Sequence, residues 1–121
     1  MSNQTEVPGQ LVMYIYRLRD GAGPEYERRH REVWPGLLSN LGEEGVYDYE
    51  IWQRDELVVC RMRTRRGFGT TIQAIRNNEV QERWSKSLTD LFDQIADSAG
   101  EPLWLHQVFA FGNEEESYDK E

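Results

Sequence analysis

One cysteine in 121 residues, Cys60, leaves no partner for an internal disulfide and gives no support to a zinc site. A reducing cytoplasm suits such a chain. Histidine is nearly as scarce, with only His30 and His106 far apart in sequence, so an imidazole-rich metal centre is not expected. No apolar run is long enough to cross a bilayer, and no charged n-region precedes an apolar h-region at the start. Basic residues are outnumbered: 14 Lys and Arg against 22 Asp and Glu give a net charge of −8. Five acids against Lys120 in residues 114–121 supply half of that charge. An acidic surface opposes nucleic-acid and anionic-membrane partners and suits a small, uncharged ligand. Walker loop, dinucleotide fingerprint, HExxH and CxxC are absent.

The length allows one domain, and such a chain buries roughly two-thirds of its unfolded surface without staples. Residues 1–9 read as a flexible leader, 10–112 as the domain, and 113–121 as an acidic tail too poor in apolar side chains to pack. Residues 11–18 are β-branched and aromatic and read as a buried strand. Pro24 opens a helix through Tyr26 and His30, and Pro35 biases Trp34 out of it. A second helical piece points Leu37, Leu38 and Leu41 inward and stops at Gly45. Residues 46–52 and 57–63 form a hairpin across Arg54-Asp55-Glu56, with Tyr47, Tyr49 and Ile51 on one face. A helix over 70–77 is interrupted at Asn77-Asn78. Val80, Trp84, Leu88, Leu91, Phe92 and Ile95 then keep helical spacing over four turns. Gly100-Glu101-Pro102 breaks the chain before a last strand, 104–111. The order β-α-β-β-α-β predicts an α+β, ferredoxin-like fold: a four-stranded antiparallel sheet with helices on one face. The other face carries bulky side chains, which a homodimer would cover.

The segment Glu25-Tyr26-Glu27-Arg28-Arg29-His30-Arg31-Glu32-Val33-Trp34-Pro35 concentrates the chemistry. Tyr26 and His30, four residues apart, share a helix face. Imidazole gives and takes protons near neutral pH, and a phenol donates a hydrogen bond to an oxygen. The arginines around His30 argue equally for a solvated helix, and the Tyr26–Trp34 stripe for plain core packing. Tyr49 and Trp84 fit a core by their spacing alone, although an indole face also packs on the C–H face of a sugar. Arg83 fits a solvated helix face, and His106 an exposed or interfacial strand position. The basic run 61–66 fits a strand edge with counter-charges better than a nucleic-acid patch.

Taken together, the Tyr-x3-His-x3-Trp-Pro element, the Asp48-Tyr49 strand, Val80-Gln81-Glu82-Arg83-Trp84 and Leu105-His106-Gln107-Val108-Phe109 resemble the L-rhamnose mutarotase family over roughly residues 11–112. The resemblance implies a dimeric α/β barrel of ferredoxin-like protomers, no cofactor, and interconversion of the α and β anomers of a 6-deoxyhexose. It implies His30 as the catalytic proton donor, with Tyr26, Tyr49 and Trp84 binding the sugar. The family has a second tryptophan after the one matched by Trp84; here Ser85 stands in that substrate-binding position. A wider, more polar pocket is therefore expected.

Ring opening needs one proton delivered to the ring oxygen and one removed from the anomeric hydroxyl. Two weak acid–base groups suffice for a small neutral sugar, without metal or nucleotide. A non-catalytic or regulatory sugar-binding protein, and a cofactor-free oxygenase or haem-handling relative, are the alternatives on the same scaffold.

Overall fold

A computed structural model describes residues 6–112. The elements are β1 (Val12–Leu18), α1 (Gly23–His30), α2 (Pro35–Glu43), β2 (Val46–Arg54), β3 (Leu57–Thr64), α3 (Phe68–Arg76), α4 (Glu79–Leu88), β4 (Phe92–Gln94) and β5 (Leu103–Leu105). Each helix pair occupies one helical position, so the ferredoxin-like β-α-β-β-α-β order is kept. The sheet is antiparallel throughout and runs β2-β3-β1. The free edge of β1 is shared: β4 pairs at Arg17 and Leu18, and β5 at Met13 to Ile15. The sheet therefore has five strands rather than the four expected.

Local chemistry accounts for the breaks. Pro24 sits in the first turn of α1, with Glu25 there and Arg28 and Arg29 in the last turn, each charge suited to the helix dipole. Trp34 is extended at φ −63°, ψ 134°, and Pro35 begins α2. Asp55 takes φ 51° in the two-residue turn that joins β2 to β3, a conformation Asp tolerates. Asn78 caps α4: its side-chain oxygen accepts from the N–H groups of Val80 (2.8 Å) and Gln81 (3.3 Å).

The core lies between the helices and one sheet face. Val12, Tyr14, Leu18, Val58, Cys60 and Met62 point into it from the strands, and Tyr26, Leu37, Trp84 and Leu88 from the helices. Full burial of each large apolar side chain is worth about 1.5–3 kcal/mol. Residues 6–9, read from sequence as part of the leader, fold back on β3. The Gly9 N–H donates to the Thr64 carbonyl (2.7 Å), and Arg63 donates to the Gly9 carbonyl (2.8 Å).

Three expectations need correction. The last helix ends at Leu88, not near Ile95. A 3-10 turn over Thr89–Leu91 buries Leu91, and Phe92 becomes the first residue of β4. That exit brings the Phe92 ring within 5.2 Å of Tyr16, and Ile95 is left exposed. The last strand is three residues, because Met13 pairs with Leu105 and β1 begins only one residue earlier, leaving no ladder for 106–111. In α2, Leu37 and Asn40 are buried and Leu38 is exposed, a narrower apolar face than the leucine spacing suggests. The expected acidic tail, 113–121, and residues 1–5 of the leader lie outside the described residues.

Candidate functional site

Two turns of α1 carry the centre of the site. Tyr26 is buried, and His30 is half-buried one turn on, its ring 4.2 Å from the phenol ring. His30 Nδ1 lies 2.9 Å from the Tyr26 carbonyl oxygen. With that carbonyl as acceptor, Nδ1 carries the proton and Nε2 keeps a free lone pair. Trp84 of α4 meets the imidazole edge-on at 5.4 Å, and Trp34 meets Trp84 at 5.1 Å. The sequence stripe Tyr26–His30–Trp34 is thus completed by an indole from a second helix. Burial lowers the His30 pKa below its ordinary 6.5, against a smaller opposing pull from the Tyr26 carbonyl. The imidazole is neutral at neutral pH, with Nε2 able to accept a proton.

The phenols have the opposite character. Burial raises Tyr26 above its ordinary 10, with the Cys60 thiol and Tyr16 adding to it. It remains a protonated hydrogen-bond donor. More than a third of Tyr49 is exposed. By register Tyr49 stands on the helix-facing side of β2, opposite Met62, and burial raises its pKa too, with the Cys60 thiol, Tyr16 and Tyr26 adding to it.

α1 is fixed from both ends. Gln53 on β2 donates from its side-chain amide to the carbonyls of Gly23 (2.8 Å) and Asp55 (3.0 Å). At the other end Arg29 donates to the Ser87 carbonyl at the foot of α4, approaches Asp90 (3.6 Å) and pairs with Glu25 (2.6 Å). Arg28 and Arg29 hold the Glu25 carboxyl at about 2. Between α1 and β2 lies a cleft of about 460 Å³, lined by Tyr26, His30, Ile51 and Gln53 together with Glu27, Arg31, Trp52 and Asp55.

Of the residues singled out from sequence, Tyr26, His30 and Trp84 come together, and Tyr49 lies on the same helix-facing side of the sheet. Ser85 does not join them: it is exposed, and its hydroxyl accepts from the Gln81 amide (2.8 Å) one turn back. Arg83 and His106 are also exposed. The basic run is counter-charged: Arg61 and Arg63 pair with Asp48 (2.9 and 3.5 Å), and Arg66 with Glu44 (2.7 Å). No group of three or more His, Cys, Asp or Glu side chains among the described residues is arranged to hold a metal ion. Sequence reasoning missed Gln53, Phe92, Tyr14 and Tyr16. The period-two spacing of the two tyrosines on β1 was the available signal.

The sequence model of the L-rhamnose mutarotase family matches residues 12–111. The chain belongs to that family. An L-rhamnose mutarotase from Bacteroides thetaiotaomicron is 30% identical over 93 residues, 76% of this chain and 88% of that protein. One from Brucella anthropi is 30% identical over 101 residues, 84% of this chain and 95% of that protein. The crystal structure of an L-rhamnose mutarotase from Formosa agariphila has the same fold, with a TM-score of 0.62 at 21% identity over 84% of this chain and 98% of that one. Within this mutarotase family member, a neutral imidazole beside a cleft of polar and aromatic side chains can move a proton to and from a sugar oxygen. No helix among its described residues is long and apolar enough to cross a membrane.

Proposed function

We propose that this chain is a mutarotase that interconverts the α and β anomers of L-rhamnose or a related aldose, with His30 as its acid–base group. The observation that carries the reading is the His30 geometry. Nδ1 is held by the Tyr26 carbonyl, the ring is wedged between Tyr26 and Trp84, and burial keeps the imidazole neutral. Nε2 takes the proton of the anomeric hydroxyl and, as imidazolium, passes it to the ring oxygen as the C1–O5 bond breaks, which leaves the open aldehyde and a neutral imidazole. After rotation about the C1–C2 bond it takes the proton back from that hydroxyl and returns it to the carbonyl oxygen on closure. Each delivery of the proton to an oxygen is the donor role expected of it. Tyr26 and Tyr49, both kept protonated, hold sugar hydroxyls, and Trp84 supports the imidazole and the apolar side of the pocket. Each acid–base group contributes about 10²–10⁴ to such a reaction. Because sugars mutarotate measurably without help, that range is sufficient.

His30→Ala tests the reading. The folded variant should lose most anomer exchange, followed by one-dimensional proton exchange spectroscopy on L-rhamnose. Wild-type exchange in a folded His30→Ala protein would remove His30 from the chemistry.

The protomer is read as half of a homodimer in the cytoplasm. The sheet face away from the helices carries Met13, Ile15, Val59 and Leu103, with Trp52 64% exposed. Beyond β5, Val108, Phe109 and Phe111 stand almost wholly exposed. A second copy covering these side chains is the economical arrangement. Light scattering should give twice the protomer mass at micromolar concentration, and a monomer there would refute it.

A further inference from the structure

The helix side of the sheet holds two hydroxyls, on Tyr14 and Tyr16, to which the proposed function gives no role. Strand register aligns Gln53, Val58 and Tyr16 in one row across β2, β3 and β1, and Ile51, Cys60 and Tyr14 in the next. Tyr49 opens the third row, beside Met62 and Val12. The middle strand thus presents small side chains, Val58 and Cys60, both fully buried. Outer strands of such a triplet lie roughly 9–10 Å apart, within the joint reach of two tyrosines leaning inward. Tyr14 and Tyr16 of β1 and Tyr49 of β2 thus stand on the same helix-facing side of the sheet as Cys60, and Tyr26 packs against that side from α1. Ring contacts run unbroken from the imidazole: Tyr26 to Phe92 at 6.0 Å, Phe92 to Tyr16 at 5.2 Å, Tyr16 to Tyr14 at 5.6 Å. Burial raises Tyr16 to about 12, so its hydroxyl keeps its proton at any working pH.

A phenol hydroxyl both donates and accepts, and so does every hydroxyl of a sugar. Several phenols on one face match a polyol and match a methyl group poorly, because a methyl set against them leaves buried hydroxyls unpaired. We infer that Tyr14 and Tyr16, with Tyr49, read the substituents of the sugar remote from His30, and that the preferred substrate is an aldose carrying a hydroxyl where a 6-deoxyhexose carries its methyl. The inference rests on the mutarotase reading and sharpens its substrate class. It reaches a polar pocket without Ser85, which lies elsewhere.

L-rhamnose and L-mannose differ only by that hydroxyl and make the test. Anomer exchange rates against concentration are measured for both sugars with the wild-type protein and with Tyr16→Phe and Tyr14→Phe, each of which keeps its ring and loses only its hydroxyl. Expected is a wild-type kcat/KM for L-mannose above that for L-rhamnose. At least one Phe variant should lower the L-mannose to L-rhamnose ratio on the order of tenfold, the scale of one lost hydrogen bond. A purely packing role moves both sugars together and overturns the inference. So does a wild-type preference for L-rhamnose, which leaves the mutarotase reading standing. Exchange of neither sugar above the uncatalysed rate overturns both.

Discussion

Gly23→Ala probes how α1, and with it His30, is seated on the sheet. Gly23 is buried at the start of α1, under the β2–β3 turn. A Cβ there would lie 2.6 Å from the Asp55 carbonyl oxygen, 3.1 Å from its carbon and 3.2 Å from the Gln53 amide nitrogen. Two of those three atoms are backbone, so no side-chain rotation relieves the overlap. Restoring ordinary contact at ~3.5 Å or more requires a displacement of about 1 Å between helix and turn. Forced overpacking of this kind costs about 1–3 kcal/mol. The displacement also strains the Gln53 bonds to Gly23 and Asp55, worth about 0.5–1.5 kcal/mol each in net terms. Alanine's better helix propensity offsets about 0.5–1 kcal/mol. The net expectation is a loss of about 1–3 kcal/mol in urea unfolding, with the midpoint lowered and the slope unchanged. Because the shift moves Tyr26 and His30 relative to β2, anomer exchange should fall by about 10–100-fold in protein that is still folded. If Gly23→Ala unfolds within about 0.5 kcal/mol of wild type and exchanges L-rhamnose at the same rate, the close approach to Asp55 does not seat the helix.

Two further outcomes follow from the site. The His30 pKa is lower in the folded chain than its ordinary 6.5. The folded state therefore binds fewer protons than the unfolded state between the two values. Its contribution to stability is full above about pH 6.5 and is lost as pH falls toward the folded value. The acidic limb of the rate profile shifts the same way: exchange should hold as pH is lowered through 6.5 and decline with an apparent midpoint below it, and a midpoint above 6.5 contradicts the desolvated imidazole. Ser85→Trp should leave the L-rhamnose saturation curve within about twofold, since Ser85 is exposed and bonded to Gln81 and neighbouring helical residues diverge by about 100°. A clear gain in L-rhamnose use would put position 85 back at the sugar.

Much of this arrangement was legible because local rules decided it. Pro24, Pro35 and Gly45 set the ends of α1 and α2, and the Tyr26–His30 spacing placed two rings on one face before any tertiary contact was known. The hairpin was set by the short polar turn at Asp55, whose φ of 51° Asp accepts. What sequence spacing missed depended on partners distant in the chain. Phe92 continues the apolar period of α4, yet pairing with Leu18 and contact with Tyr16 outweigh one more helical turn. Residues 106–111 are apolar enough for a strand, but β1 is too short to receive them. Ser85 stands beside Trp84 in sequence, and the helix turns the two side chains apart. Tyr14 and Tyr16 read as ordinary strand aromatics until the register set them across Cys60 and Val58 from β2.

In the proposed reading, acid–base chemistry and substrate recognition are divided between two layers of this fold. The proposed proton-transfer group, His30, stands on a helix, where Gln53 at one end and Arg29 at the other fix its height above the sheet. Its pKa is set by enclosure between Tyr26 and Trp84. Tyr14, Tyr16 and Tyr49 stand on strands, where a period of two residues puts all three on the helix-facing side of the sheet. A change of sugar can then be met by exchanging a strand hydroxyl for a hydrogen, as in Tyr16→Phe, without moving the imidazole. A change at Gly23 displaces the imidazole and leaves the sheet intact. The two substitutions should therefore separate in kinetics: the strand variant changes the ratio between sugars, and the helix variant lowers exchange for every sugar alike.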